Sequence, residues 1–104
     1  MKDFQLIGTI NHRETERSAH YVALVKKQDN WWVCDDRETN PIGNSFPYFR
    51  DHEPYILFYK RSSIALDKRD PIGIANLGNS CYINALMQNM INVPELFIRN
   101  ECDF

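Results

Sequence analysis

Residues 73–88 read Gly-Ile-Ala-Asn-Leu-Gly-Asn-Ser-Cys-Tyr-Ile-Asn-Ala-Leu-Met-Gln. A loop rich in Gly and Asn turns here into an amphipathic run, and Cys81 stands at the junction. The pattern predicts a helix from about Asn79 to Asn92, with Asn79 as its N-cap. Tyr82, Ala85, Leu86, Asn89, Met90 and Val93 share one broad face at three and four spacing. Pro94 ends the helix or starts a further turn. A thiol at a helix start faces unpaired backbone N–H groups and the positive end of the macrodipole, and both favour a thiolate. The same position also suits a small buried hydrophobe.

The region upstream reads as strands. Residues 4–10 and His20–Val25 are apolar and partly β-branched, and Trp31–Cys34 forms a third short run. With Lys26–Asn30 as a polar turn, residues 19–35 make an antiparallel hairpin. Arg13–Ser18 is polar and reads as a loop. Residues 37–54 carry three prolines and Gly43, so a loop or loosely ordered insert is expected there. Tyr55–Tyr59 is a continuous apolar and aromatic run, long enough for a buried strand. Arg61–Asp70 is polar and reads as a linker. Strands first and a helix last predict an α+β fold in one domain.

A nucleophilic thiol needs a base and a group that orients the base. His20 heads one predicted strand and Asp35 ends the next, 15 positions away. A tight hairpin brings such positions side by side, where Asp35 could accept a hydrogen bond from His20 Nδ1–H. Asp36 would point to the other face if the strand persists, which makes it the weaker orienter. The backbone N–H of Cys81 and the side-chain amide of Asn76 are candidate oxyanion donors.

Composition narrows the alternatives. A net charge of -2 gives no electrostatic case for nucleic acid or an anionic membrane. Three cysteines cannot pair fully within the chain, and no signal peptide or apolar span is seen, so a reducing intracellular setting is expected. There is no Cys-x-x-Cys pair and no Gly-rich phosphate loop, so neither a structural zinc nor a nucleotide is expected.

The Gly73–Gln88 stretch closely resembles the Cys box of the ubiquitin-specific proteases. His20-Tyr21-Val22-Ala23-Leu24-Val25, followed by Trp31 or Trp32 and Asp35-Asp36, resembles their His box. Pro54–Arg61 resembles the strand that closes that domain, and Phe4–His12 the strand that leads into the His box. The resemblance implies a papain-like cysteine deubiquitinase that needs no cofactor and no metal. Cys81 would be the nucleophile, His20 the base and acid, Asp35 its orienter and Asp36 a secondary assistant, with Asn76 at the oxyanion hole. Ubiquitin or ubiquitinated proteins would be the partners. The cytoplasm, the nucleus or both would be the setting.

The chain departs from that family in order and length. Here the His box (residues 1–61) comes first, then a linker (62–72), then the Cys box (73–104), the reverse of the family order. Most of the thumb, fingers and palm would be supplied by a longer gene product or a complementing chain. A permuted and truncated domain, a fragment of a longer protein and a degenerate paralogue all fit this arrangement. The alternative to an enzyme is a catalytically inactive fragment that binds ubiquitin or a partner protease. Ala19 stands where the family usually has Gly, and Arg13 and Glu14 stand in a loop that usually contains Gly.

Overall fold

The structure is a computed structural model that describes residues 3–14, 19–78 and 80–93. Five antiparallel strands form one sheet: β1 (Phe4–Glu14), β2 (Ala19–Lys27), β3 (Asn30–Asp35), β4 (Glu38–Gly43) and β5 (His52–Arg61). They lie in the order β4-β3-β2-β1-β5. One helix, α1 (Cys81–Ile91), packs mainly on β2. This is an α+β arrangement of a sheet and one helix.

The strands follow from local chemistry. Gln28 and Asp29 both take positive φ, 50° and 69°, and close a two-residue turn between Lys27 and Asn30. Such a turn matches the twist of the flanking strands. Ile10, Ala23, Val25 and Cys34 meet on the face that receives Ala85 of α1, with Ile56, Phe58 and Leu86 packed around them. Val22 and Leu24 alternate to the opposite face and are buried as well.

Three expectations need correction. The stretch 37–54 is not a plain loop, because Glu38–Gly43 is a strand at one edge and β5 already begins at His52. Pro41 and Pro54 fit there because both strands lie at sheet edges, where a missing N–H breaks no ladder on the open side. The run Tyr55–Tyr59 is not buried throughout, since Leu57 and Tyr59 remain 49% and 53% exposed on that edge strand. The segment Arg13–Ser18 is also not wholly a loop, because β1 runs on to Glu14, and residues 15–18 lie outside the described residues.

The helix differs from its predicted form too. It starts at Cys81, and Ser80 takes the N-cap position, while Asn79 lies outside the described residues. The buried face carries Asn84, Ala85, Gln88 and Asn89, and Tyr82 remains 39% exposed. Amides hold this face down. Asn89 Nδ2 donates to Thr9 O (3.0 Å), Gln88 Nε2 to Ile72 O (2.7 Å) and Asn92 Nδ2 to Lys26 O (3.1 Å). Hydropathy counting misses such a face, because it treats an amide as solvent-seeking whether or not it finds a partner.

The linker is clasped rather than extended. The N–H of Asp67 donates to Asn92 O at 2.8 Å, and Gln28 Nε2 donates to Lys68 O. Arg69 grips the Asp67 carboxylate at 2.5 Å, which holds that carboxyl well below its usual range.

Candidate functional site

His20, Asp35 and Asp36 converge at one end of the sheet, with ligating atoms within 4.8 Å of one another. Ala23 pairs with Cys34, so His20 and Asp35 lie at the same end of the β2–β3 pair. The imidazole Nε2 lies 2.6 Å from Asp35 Oδ1. The bond uses Nε2, not Nδ1 as the sequence led us to expect, so Nδ1 is left over for another partner. Chain spacing fixes which residues meet but not how a ring turns about its own bonds.

Asp36 also comes to the site, against the expectation that it faces away. The strand does not persist: β3 ends at Asp35, and Asp36 takes a φ of 51° in the turn to β4. Aspartate tolerates that left-handed region better than most residues. Its Oδ2 lies 3.9 Å from His20 Nε2. Its other contacts run to the segment that carries Cys81. Asn84 Nδ2 donates to Asp36 Oδ1 (2.8 Å), Asn76 Nδ2 donates to Oδ2 (3.1 Å), and the Ile74 N–H donates to the Asp36 carbonyl (2.7 Å). Asp36 is thus a post on which the Gly-Asn loop is docked. Asn84 was not among the residues singled out from sequence. It is 6% exposed and also donates to the carbonyls of Ile74 and Ala75.

Cys81 is the first residue of α1 and is half-buried. No acidic residue occupies the first turn of α1. Ser80 shapes the approach: its hydroxyl accepts from Leu77 N–H (2.9 Å) and donates to Asn76 Oδ1 (3.4 Å). The residues after the two key side chains meet, with the Tyr21 and Tyr82 rings edge to face at 5.1 Å. Among the described residues no hydrogen bond joins Cys81 Sγ to His20. The structure therefore gathers His20, Asp35, Asp36 and Asn76 directly, and ties the helix that begins at Cys81 to this end of the sheet through Asn84 and Tyr82. The Asn76 amide, expected at an oxyanion hole, is spent at least in part on Asp36.

The two thiols in the described residues differ sharply. Cys34 is 2% exposed and burial pushes its thiol up to about 12. In a chain carrying Cys102→Ser, iodoacetamide at pH 8 should modify Cys81 and leave Cys34 intact until denaturant is added. Mass spectrometry of the peptides reads the result, and rapid native labelling of Cys34 would contradict it.

His52 lies close by on β5, with Asn11 Nδ2 donating to its Nδ1 at 3.3 Å. Burial lowers its pKa from the usual 6.5, and Asp51 offsets this only in part. The folded chain therefore binds this proton less readily than the unfolded chain. Stability should fall as pH drops through 6.5 and level off below the folded value. Thermal melts from pH 8 to 5 test this, and His52→Gln should flatten that limb.

Comparison with known proteins now fits this geometry. The family model for ubiquitin carboxyl-terminal hydrolase matches residues 1–59, the portion that holds His20, Asp35 and Asp36. Ubiquitin carboxyl-terminal hydrolase 51 of Mus musculus is 34% identical over 62 residues, covering 59% of this chain and 9% of that protein. Ubiquitin carboxyl-terminal hydrolase nonstop of Drosophila melanogaster is 37% identical over 60 residues, 57% of this chain and 12% of the relative. Ubiquitin carboxyl-terminal hydrolase 22 of Homo sapiens is 32% identical over 59 residues, 56% and 11% respectively. The chain thus spans about a tenth of the length of these relatives. No solved structure matches it significantly. With more than half of its residues matched by the family model, this chain belongs to the ubiquitin carboxyl-terminal hydrolase family.

Proposed function

We propose that the chain carries the catalytic groups of a papain-like cysteine deubiquitinase, which hydrolyses the peptide or isopeptide bond after the C-terminal glycine of ubiquitin. The observation that carries the reading is the 2.6 Å bond between His20 and Asp35, on strands that belong to the matched family segment. Cys81, at the start of a helix docked on Asp36, supplies the nucleophile.

In this mechanism His20 takes the Cys81 proton. The thiolate then attacks the glycine carbonyl, and the imidazolium returns the proton to the leaving amine. Water, deprotonated by His20, cleaves the thioester and releases ubiquitin with a free carboxylate. Asp35 holds the ring through Nε2, which leaves Nδ1 to exchange the proton. The Cys81 backbone N–H, free at the helix start, faces the developing oxyanion, with Asn76 beside it. Ubiquitinated proteins in the cytoplasm, the nucleus or both are the proposed substrates, within the ubiquitin-like conjugation pathway. The His-box and Cys-box halves are read as parts of one permuted domain, with residues 62–72 as the link.

The test is a ubiquitin probe bearing a C-terminal electrophile, incubated with the full chain. A covalent adduct is expected that disappears in Cys81→Ser. Ubiquitin binding that survives Cys81→Ser, with no adduct in the folded parent chain, would favour a non-catalytic ubiquitin-binding role.

A further inference from the structure

Arg13 occupies a position in the sheet that gives it access to the carboxylates of Asp35 and Asp51. It pairs with His20 on one side and with His52 on the other. Its Nη1 lies 3.7 Å from Asp35 Oδ2, while His20 uses Oδ1 of the same carboxylate. Its Nε donates to Asp51 Oδ2 at 3.3 Å. Asp51 in turn has its Oδ1 3.8 Å from His52 Nε2. Asp35 is therefore addressed by an imidazole at one oxygen and by a guanidinium at the other.

We propose that Arg13 is a positioning residue for the His20–Asp35 pair. A carboxylate on the last residue of a strand is free to rotate about its own bonds. A cation at Oδ2 limits that rotation and keeps Oδ1 turned toward the ring. Asp51 holds the stem of the arginine, so the post stands on the segment that leads into β5 and not on the site itself. The proposal rests on the reading of His20 as the base. Arg13 stands in a stretch where the resemblance leads one to expect a loop containing glycine, and in this chain that stretch continues β1. Its side chain is 43% exposed, so its influence should be modest and sensitive to salt.

The experiment compares the full chain with Arg13→Gln, Arg13→Lys and Asp51→Asn. Two readouts are taken: the rate of Cys81 modification by the ubiquitin electrophile, and the solvent exchange of the His20 Nε2 proton by NMR. Arg13→Gln should lower the maximal labelling rate about three- to fivefold with little change in probe affinity. It should also speed Nε2 proton exchange severalfold. Arg13→Lys should recover part of both effects, and Asp51→Asn should fall between. High salt should erase the advantage of the parent over Arg13→Gln. Unchanged proton exchange in Arg13→Gln, or labelling as fast as or faster than the parent, would overturn the proposal. If the parent forms no adduct at all, the deubiquitinase reading fails, while proton exchange still decides the role of Arg13.

Discussion

Replacing His20 by Ala is expected to slow acylation of Cys81 by the ubiquitin electrophile about 10²- to 10⁴-fold, the range that a positioned base contributes. Binding of the probe should hold, because His20 is the second residue of β2 and its replacement leaves the paired strand in place. Asp35→Asn should slow the reaction in the same direction, since a neutral amide oxygen accepts from Nε2–H more weakly than a carboxylate and offers no charge to the imidazolium. Asp35 acts only through the ring, so the double variant His20→Ala/Asp35→Asn should be no slower than His20→Ala alone. Single-turnover labelling of the four proteins completes the cycle. Additive losses would show that Asp35 serves the reaction by some route other than His20.

Gly73→Ala is expected to cost about 2–3 kcal/mol of stability and to disable the Cys81 segment in the same step. A Cβ built at residue 73 would lie 2.0 Å from Arg37 O, 2.4 Å from its carbonyl carbon and 2.6 Å from its Cα. All three are backbone atoms of the turn that carries Asp36, so no side chain can swing away. The loop must lift, and with it go the Ile74 N–H bond to Asp36 and the reach of Asn84. Urea denaturation followed by tryptophan fluorescence measures the first effect and probe labelling the second. An unchanged midpoint would mean that the Gly-Asn loop is not seated on Asp36. Gly78→Ala gives a contrast, since nothing lies within 4 Å of its Cβ and only its φ of 112° resists.

Much of this was legible in the sequence, and the failures share a cause. The hairpin was readable because two apolar, partly β-branched runs flank the polar stretch Lys26–Asn30, within which the structure closes the turn at Gln28-Asp29. The meeting of His20 and Asp35 followed from it, because pairing across two strands is set by a turn only two residues long. Residues 38–43 were hidden because Pro41 and Gly43 read as breakers, and an edge strand needs only half of its backbone groups. Asp36 was misplaced because its direction depends on where β3 stops, a matter of one residue. Asn84, Gln88 and Asn92 were passed over because their partners are backbone carbonyls on distant segments. No spacing within the chain announces such partners. Among these residues Asn92 keeps its Oδ1 buried without a partner.

A greasy stripe on a helix is a bearing surface: it tolerates a slide of a few tenths of an ångström, or a small roll, at little cost. The row of amides beneath α1 works as a toothed rack. Asn84, Gln88, Asn89 and Asn92 each engage a different carbonyl or carboxylate, so a shift by one residue disengages every tooth at once. The seating of the helix is therefore indexed along its axis, and the position of Cys81 at its start is set at the far end of the helix as much as beside it.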